Sequence, residues 1–186
     1  NEQKAAVEKA KRWFTGDHPV ETREGAAHPD RFLLNAKMRF GKCFTGIQIA
    51  KALGANNCLI ITYKPEVIGE WIDVVNDHVE FEGWTGIRAR KNENNINEPF
   101  VNENGQLPKV GGPVVVCVSL QDLSINADGS TKKRLSQVLK TKWDLIIFDE
   151  VHFGSRTERA KYIIDSLKWS KRLDLSGTPF RLIQEE

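Results

Sequence analysis

Residues 32–43 constrain the fold of this chain more than any other stretch. They begin with three apolar side chains, which is typical of a buried strand, and they end with Gly41, Lys42 and Cys43. An amphipathic run with the spacing of a helix follows at once, over residues 44–53. A strand, a tight loop that ends in Gly-Lys and a helix form, in this order, a phosphate-binding loop.

Such a loop holds phosphate mainly through its backbone. Successive N–H groups turn inward as an anion cradle, and the helix N-terminus adds unpaired N–H groups and the positive end of its dipole. Lys42 would supply the point charge that reaches the outer phosphates of a nucleotide. The loop residues that we expect around the nucleotide are Ala36, Lys37, Met38, Arg39, Phe40, Gly41, Lys42 and Cys43.

Two positions depart from the standard pattern G-x-x-x-x-G-K-[ST]. Ala36 replaces the first glycine, which the backbone tolerates if φ stays negative there. Cys43 replaces the final hydroxyl residue, and a soft thiol is a poor substitute for the hard oxygen that Mg²⁺ prefers. Cys43 is therefore a weak candidate for a Mg²⁺ ligand. On these residues alone, a nucleotide site and an ordinary strand-to-helix turn both stay open.

The composition bounds the remaining possibilities. A chain of 186 residues, 40% apolar and 28% charged, is large enough for one domain with a real core. The net charge of +2 neither requires nor excludes a nucleic-acid partner. The three cysteines lack C-x-x-C spacing, which argues against a zinc site or a disulfide framework and fits the reducing cytoplasm. No apolar run approaches the ~20 residues that span a bilayer, and no signal-peptide pattern is present, so we expect no membrane association.

Strands and helices are predicted to alternate along a single domain. The predicted strands are 32–34, 58–62, 81–90, 114–118, 145–148 and 173–177, and the predicted helices are 3–14, 44–53, 65–75, 132–139 and 162–167. This alternation implies an α/β fold with a mostly parallel sheet between helices. The asparagine-rich residues 91–113 are predicted to be a loop insertion.

A second motif follows the predicted strand 145–148, where Asp149 and Glu150 come after four apolar residues. The carboxyl ends of parallel strands are where open α/β sheets bind ligands, and the phosphate loop lies at the same edge. There an aspartate can hold Mg²⁺, directly or through water, while the neighbouring glutamate polarises the attacking water. The pair could also do no more than end a strand, but its position downstream of a phosphate loop favours the catalytic interpretation.

Three segments, in order, resemble the first three signature motifs of superfamily-two helicases and translocases. They are residues 36–43, residues 149–152 with the Asp-Glu-Val-His sequence of a DExH box, and residues 176–179. Their detail looks most like the motor subunits of type III and related type I restriction enzymes. The resemblance runs over residues 3–180 and implies a RecA-like P-loop three-layer sandwich, the first of the two RecA-like lobes that such motors possess.

The resemblance implies roles for individual residues. Lys42 would bind the β- and γ-phosphates of ATP, Asp149 would hold Mg²⁺, and Glu150 would orient or deprotonate the attacking water. Gln3 stands where the family places its adenine-reading glutamine. His152 would relay the nucleotide state to the residues that couple hydrolysis to movement, which are Ser176, Gly177 and Thr178.

The resemblance also implies partners. Double-stranded DNA would contact segments that follow two of the strands, because hydroxyls, amides and lysine suit phosphate oxygens. The contact residues would be Thr62, Lys64, Ser119 and Gln121. A second RecA-like lobe, expected outside this chain, and nuclease or modification modules would belong to a parent protein. The second lobe of such motors supplies an arginine worth about 10³–10⁵ in rate, so we expect this lobe alone to hydrolyse ATP poorly.

Other interpretations stay open. Gln3 could be an exposed helical residue, His152 a solvated or capping residue, and residues 176–179 a turn that ends a strand. Four of the five tryptophans are expected to pack rather than to stack on bases; they are Trp13, Trp71, Trp143 and Trp169. The alternative functions are a different P-loop NTPase, such as a nucleotide kinase or transport ATPase, and a non-catalytic nucleotide-binding scaffold whose loop has decayed at Cys43.

Overall fold

A computed structural model describes residues 2–16, 30–36, 40–88, 111–121, 123, 133–151 and 157–177. Its helices are α1 (Glu2–Thr15), α2 (Lys42–Ala52), α3 (Ile68–Asp77), α4 (Lys133–Lys140) and α5 (Glu158–Ser166). Its strands are β1 (Arg31–Asn35), β2 (Asn57–Thr62), β3 (Thr85–Arg88), β4 (Val114–Ser119), β5 (Lys142–Asp149) and β6 (Lys168–Ser176). None of the helices in this described part combines the length and apolar character needed to cross a membrane.

The six strands form one sheet in which every described pairing is parallel. Their order is β1-β6-β5-β2-β4-β3. β6 therefore lies between β1, which leads into the phosphate loop, and β5, which ends on Asp149. Asn35 pairs with Ser176, and Asp149 pairs with Leu175. The carboxyl ends of these three strands are thus nearly level, and the segments that follow them start from one edge of the sheet.

Alternate residues of each central strand enter opposite cores. On β2, Cys58 and Ile60 pack in a core shared with α1, α2 and α3, whereas Leu59 and Ile61 pack in a core shared with α4 and α5. All four side chains are buried, as expected for a parallel strand covered on both faces. The predicted α/β three-layer sandwich is therefore confirmed.

The helix α3 shows how the sequence directs one element toward the sheet. Ile68, Trp71 and Val75 recur at helical spacing and are buried, so one face of the helix is apolar. The helix was predicted to begin at Pro65, but Pro65–Val67 forms a 3₁₀ turn and α3 begins at Ile68. Trp71 lies on the buried face of α3, and from there its indole reaches Asp149 at the end of β5.

The strand predicted at residues 81–90 is wrong in its first part. Val79–Phe81 is a 3₁₀ turn, and β3 begins only at Thr85. Between them Gly83 has φ +84°, a left-handed conformation that does not continue a strand. The loop predicted at residues 91–113 lies outside the described residues except for its last three positions.

β6 is longer than predicted, since it begins at Lys168 rather than at residue 173. Its first half alternates exposed and half-buried residues and contains three basic side chains, which obscured the strand in the sequence. One of these, Arg172, pairs with Asp174 at 2.9 Å and lies over the ring of Phe148 at 4.3 Å. Such contacts let charged residues occupy a half-buried strand.

Candidate functional site

Gly41, at the end of the phosphate loop, is the N-cap residue of α2. Gly41 has a left-handed backbone, with φ +75° and ψ +49°, and its carbonyl accepts the N–H of Thr45 at 2.9 Å. Glycine has no side chain with which to cap this end of the helix. A helix N-terminus presents backbone N–H groups and a positive dipole, which together favour an anion.

Gln3 on α1 contacts the same loop. Its Nε2 donates to the carbonyl of Phe40 at 2.6 Å, and a Cβ added at Gly41 would collide with this amide. Glycine is favoured at position 41 by its left-handed backbone, whereas the flexible side chain of Gln3 could shift away from an added methyl group. The structure brings Gln3 to the loop, while its recognition of adenine stays a prediction.

Lys42, Asp149 and Glu150 converge at the carboxyl edge of the sheet. Lys42 Nζ lies 2.6 Å from Asp149 Oδ1 and 3.5 Å from Glu150 Oε1. The Asp149 side chain is 2% exposed, whereas those of Lys42 and Glu150 are 25% and 26% exposed. Burial works to lower the pKa of Lys42, but the hydrogen bond and charge of Asp149, with the charge of Glu150, raise this pKa above its ordinary value. Lys42 is therefore a charged ammonium group.

Glu150 also connects the ends of β5 and β6. Its backbone is left-handed, with φ +56°, which is uncommon for a residue with a side chain and is often found at functional sites. Its N–H donates to the carbonyl of Leu175 at 3.0 Å, and its Oε1 accepts the N–H of Gly177. If the Glu150 carboxylate moves, it therefore either breaks its hydrogen bond to the Gly177 N–H or moves Gly177 with it.

The other predicted coupling and loop residues are placed only in part. Ser176 is buried at the end of β6, and its carbonyl accepts the N–H of Ala36 at 2.8 Å, which ties the start of the phosphate loop to the same strand. Five predicted site residues lie outside the described residues: Lys37, Met38, Arg39, His152 and Thr178.

Trp71 is the member of the site that sequence reasoning missed. It was predicted only to pack in the core, and it is fully buried there, which confirms that prediction. In addition its indole Nε1 donates to Asp149 Oδ2 at 2.9 Å. A buried indole N–H generally requires an acceptor, but the sequence does not indicate which one.

Cys43 lies in the first turn of α2 and is buried. Burial raises the pKa of its thiol to about 12, and the neighbouring charges of Asp149 and Glu70 act in the same direction. Its Sγ lies 4.0 Å from Glu70 Oε2, to which the thiol can donate. A bound metal ion lowers the pKa of a thiol that coordinates it, so the raised pKa does not decide whether Cys43 binds Mg²⁺. Cys43 stays a weak candidate for a Mg²⁺ ligand because its sulfur is soft.

A cleft of about 400 Å³ opens beside these groups. Its lining includes Ala36, Gly41, Lys42, Glu70, Glu150 and Gly177. Small-molecule sites commonly have volumes of about 300–1,000 Å³. The cleft therefore has room for phosphate groups between the phosphate loop and the acidic end of β5.

The donor set fits Mg²⁺ in the form that accompanies a nucleotide. The carboxylates of Asp149 and Glu150 are hard oxygen donors, and the Lys42 ammonium held between them shows that this position favours a cation. Within the described residues, no three His, Cys, Asp or Glu side chains are grouped as a preformed metal site. Nucleotide-bound Mg²⁺ does not need one, because one or two carboxylates suffice when phosphates and waters supply the other ligands.

The predicted DNA-contact residues lie at the same edge, at the ends of β2 and β4. Thr62 pairs with Ser119 in register, and both are fully buried. The Thr62 hydroxyl donates to the carbonyl of Lys64 at 2.7 Å. Lys64 and Gln121 are exposed. Lys64 and Gln121 are therefore accessible to a nucleic-acid backbone, whereas Thr62 and Ser119 are buried inside the fold.

The family of the chain is shown by a family profile that matches nearly its whole length. The profile of the family described as the Res subunit of type III restriction enzymes matches residues 1–181. The chain belongs to this family. Membership of the Res family confirms the resemblance that the three motifs carried, which is to the first RecA-like lobe of a superfamily-two restriction motor.

A curated relative supports the same assignment. The Res-family chain is 33% identical over 183 residues to the C-terminal part of a Mycoplasma pneumoniae protein described as a type II restriction enzyme and methyltransferase. The match covers 93% of this chain but 22% of that relative. The chain therefore corresponds to about one fifth of the length of the relative.

Solved structures share the architecture. The SWI2/SNF2 ATPase core of Sulfolobus solfataricus in complex with double-stranded DNA matches with a TM-score of 0.62 at 14% identity, over 98% of this chain and 33% of that one. The SWI2/SNF2 ATPase core domain of the same organism matches with a TM-score of 0.54 at 15% identity, over 82% of this chain and 28% of that one. At these identities the similarity concerns the fold.

Proposed function

We propose that this Res-family lobe binds and hydrolyses Mg-ATP in the cleft at the carboxyl edge of its sheet, and that it drives a DNA translocase in a restriction–modification enzyme. The observation that carries the proposal is the convergence of Lys42, Asp149 and Glu150 beside the N-terminus of α2. Family membership and the shared fold support it. A second RecA-like lobe and the nuclease or modification modules would be supplied by the parent protein.

Nucleotide binding would exchange the partners of Lys42. Its side chain is partly exposed, so its Nζ can leave Asp149 for the β- and γ-phosphates, which carry more negative charge than one carboxylate. Asp149 Oδ1 would then be available to the metal. Bound Mg²⁺ would neutralise charge on the phosphates. Gln3, already seated against the loop, is the residue that we propose to recognise adenine.

Glu150 would orient the attacking water and accept its proton. Its contact with the N–H of Gly177 gives hydrolysis a direct route to the end of β6. We propose that Ser176, Gly177 and Thr178, with His152, pass this change to the rest of the motor. A route of one hydrogen bond suits coupling because a small shift of the carboxylate must either break the bond or move its donor.

We also propose that Lys64 and Gln121 contact the DNA backbone, while Thr62 and Ser119 position the segments that carry them. In the parent protein, double-stranded DNA is expected to stimulate ATP hydrolysis. Replacing both contact residues, as Lys64→Ala with Gln121→Ala, should raise the DNA concentration for half-maximal stimulation and lower the salt slope by about 1, as for one phosphate contact by lysine. The measurement is ATP turnover against DNA concentration at several salt concentrations.

The control for that experiment is Lys168→Ala, because Lys168 is exposed at the start of β6, at the opposite edge of the sheet. It should leave DNA stimulation unchanged. Turnover that does not respond to DNA in the wild-type parent would contradict the translocase proposal. Stimulation by RNA alone would assign the motor to a different nucleic acid.

Replacing Cys43 with threonine is expected to lower the Mg²⁺ concentration that ATP hydrolysis requires. A hydroxyl is a hard oxygen at the position where phosphate loops carry one. The Mg²⁺ concentration for half-maximal turnover should therefore fall at least roughly tenfold, because even a partner that only orients a metal ligand contributes about 10- to 100-fold. The measurement is ATP turnover of the parent protein against Mg²⁺ concentration. Cys43→Ala is the matched control, since it removes the thiol without adding an oxygen.

The same variant tests the alternative that the chain is a non-catalytic nucleotide-binding scaffold. The feature that supports this alternative is Cys43, which replaces the usual hydroxyl residue of the phosphate loop. A decayed, non-catalytic loop would show no turnover in the wild type at any Mg²⁺ concentration. An unchanged Mg²⁺ dependence in Cys43→Thr would show that another oxygen already occupies that ligand position. The retained convergence of Lys42 with two carboxylates favours an active lobe over a scaffold.

A further inference from the structure

Asp149 receives a second buried contact that none of the catalytic motifs includes. We propose that Trp71 is a positioning residue whose indole N–H fixes the Asp149 carboxylate so that Oδ1 faces Lys42, which lines the nucleotide cleft. The inference rests on the proposed function, because it takes Asp149 as the carboxylate that holds Mg²⁺.

The two oxygens of Asp149 are contacted from two different helices. Oδ1 lies 2.6 Å from Lys42 Nζ on α2, and Oδ2 accepts the indole N–H of Trp71 on α3 at 2.9 Å. The last torsion of an aspartate side chain has only a broad, two-fold preference. The side chain therefore does not set the plane of its own carboxylate. Among the described residues, the indole of Trp71 is the donor that sets it from the buried side.

The ring of Trp71 is itself held tightly. A Cβ added at Gly46 would lie 2.8 Å from Cη2 and 2.9 Å from Cζ3 of the ring, so α2 can approach α3 this closely only because residue 46 is glycine. Trp71 is fully buried, and its indole cannot rotate without displacing α2. The helix that carries Lys42 thus also fixes the donor to the other oxygen of Asp149.

The chemistry of an indole suits this task. It donates one hydrogen bond, accepts none and carries no charge. A lysine or arginine in its place would neutralise Asp149 and compete with a metal ion. A neutral donor on one oxygen orients the carboxylate and leaves its negative charge available on the other, which is how outer partners orient metal ligands.

The Trp71→Phe variant separates the hydrogen bond from the packing. Phenylalanine keeps an aromatic ring in the core and removes the N–H. The gain in ADP affinity that Mg²⁺ confers should fall about tenfold, the lower end of the effect of losing an outer partner of a metal ligand. The affinity for ADP without Mg²⁺ should stay nearly unchanged. Both affinities are measured by calorimetric titration of the 186-residue chain, with and without Mg²⁺.

Trp143→Phe is the matched control. Trp143 is also fully buried, and its indole donates to the carbonyl of Val138 at 3.1 Å, in the core on the other face of the sheet. The control therefore loses a bond of the same kind, and its Mg²⁺-dependent gain should equal that of the wild type. Equal losses in the two variants would reduce Trp71 to a packing residue and overturn the proposal.

Gly46→Ala tests the same idea without touching the tryptophan. Alanine is normally favoured over glycine inside a helix, so a purely local effect would stabilise α2. Here the added methyl group should push the ring away from Asp149 and reduce the Mg²⁺-dependent gain as Trp71→Phe does. If Trp71→Phe does not fold, Gly46→Ala provides the test of the proposal. A Gly46→Ala protein in which Mg²⁺ raises ADP affinity as much as in the wild type would overturn the proposal.

A spectroscopic measurement on the wild type needs no substitution in the site. The indole ¹H–¹⁵N resonance of Trp71 should shift when Mg²⁺ and ADP are added together, because its acceptor carboxylate then binds a cation. The resonance of Trp143 should not shift. A Trp71 resonance that stays in place while the nucleotide binds would overturn the proposal.

Asp149→Asn distinguishes a failure of the positioning role of Trp71 from a failure of the proposed function. If Asp149→Asn abolishes the Mg²⁺-dependent gain and Trp71→Phe leaves it intact, the positioning role fails and the proposed function stands. If Asp149→Asn also leaves the gain intact, the proposed function fails and the positioning role fails with it.

Discussion

The Glu150→Gln variant of the parent protein should bind Mg-ATP within about threefold of the wild type and hydrolyse it about 10²–10⁴ times more slowly, the usual range for losing a general base. Glutamine has nearly the same shape as glutamate, and its carbonyl can still accept the N–H of Gly177, so the connection between β5 and β6 should survive. It cannot accept a proton from water. Single-turnover hydrolysis and equilibrium nucleotide binding are the two measurements.

Glu158→Gln is the control for this prediction, since Glu158 is an exposed acid at the start of α5. It should leave both quantities unchanged. A Glu150→Gln protein that turns over at nearly the wild-type rate would remove Glu150 from the chemistry. A loss of binding as large as the loss of rate would instead assign Glu150 to the assembly of the site.

The Lys42→Ala variant should weaken Mg-ATP binding by roughly 10- to 150-fold, because a hydrogen bond to a charged group contributes about 1.5–3 kcal/mol. Removal of the ammonium also leaves Asp149, 2% exposed, without its cationic partner. Thermal denaturation should therefore accompany the titration, to show that the variant is folded. The measurement is calorimetric titration with Mg-ATP.

Lys51→Ala is the matched control. Lys51 lies in the last turn of the same helix, and its Nζ is 3.6 Å from Glu80 Oε2, away from the cleft lining. It removes the same charge from α2 and should bind Mg-ATP like the wild type. Equal affinities for the Lys42→Ala variant and the wild type would exclude Lys42 from the phosphate site.

The predictions that came true rest on strong local patterns. The apolar runs of β2, β4 and β5 are buried on both faces of a parallel sheet, which is where such runs are typically found in an α/β fold. Asp149 was predicted at the edge of the sheet because it follows one of these runs directly. Its meeting with Lys42 then follows from the parallel order, which brings the ends of β1 and β5 to the same edge with only β6 between them.

The failures have an equally physical origin. The first half of β6 is stabilised by charged side chains that pair across the fold, as Lys171 does with Asp30 at 2.6 Å, and a run of basic residues does not predict a strand. The hydrogen bond from Trp71 to Asp149 joins residues far apart in sequence. Helical spacing shows that Trp71 is buried, but only the packing of α3 against the sheet decides what its N–H meets. The burial of Thr62 could not be predicted for the same reason, because it depends on the neighbouring strands.

The central claim is that Lys42, Asp149 and Glu150 form a nucleoside-triphosphate site, and a crystal structure of the chain with Mg²⁺ and a non-hydrolysable ATP analogue tests it most directly. The decisive quantity is the distance between Lys42 Nζ and Asp149 Oδ1, which is 2.6 Å here. We expect this pair to separate beyond salt-bridge distance, with Nζ on the β- and γ-phosphates and the metal beside Asp149. An analogue bound elsewhere, with the pair still closed at 2.6 Å, would contradict the claim.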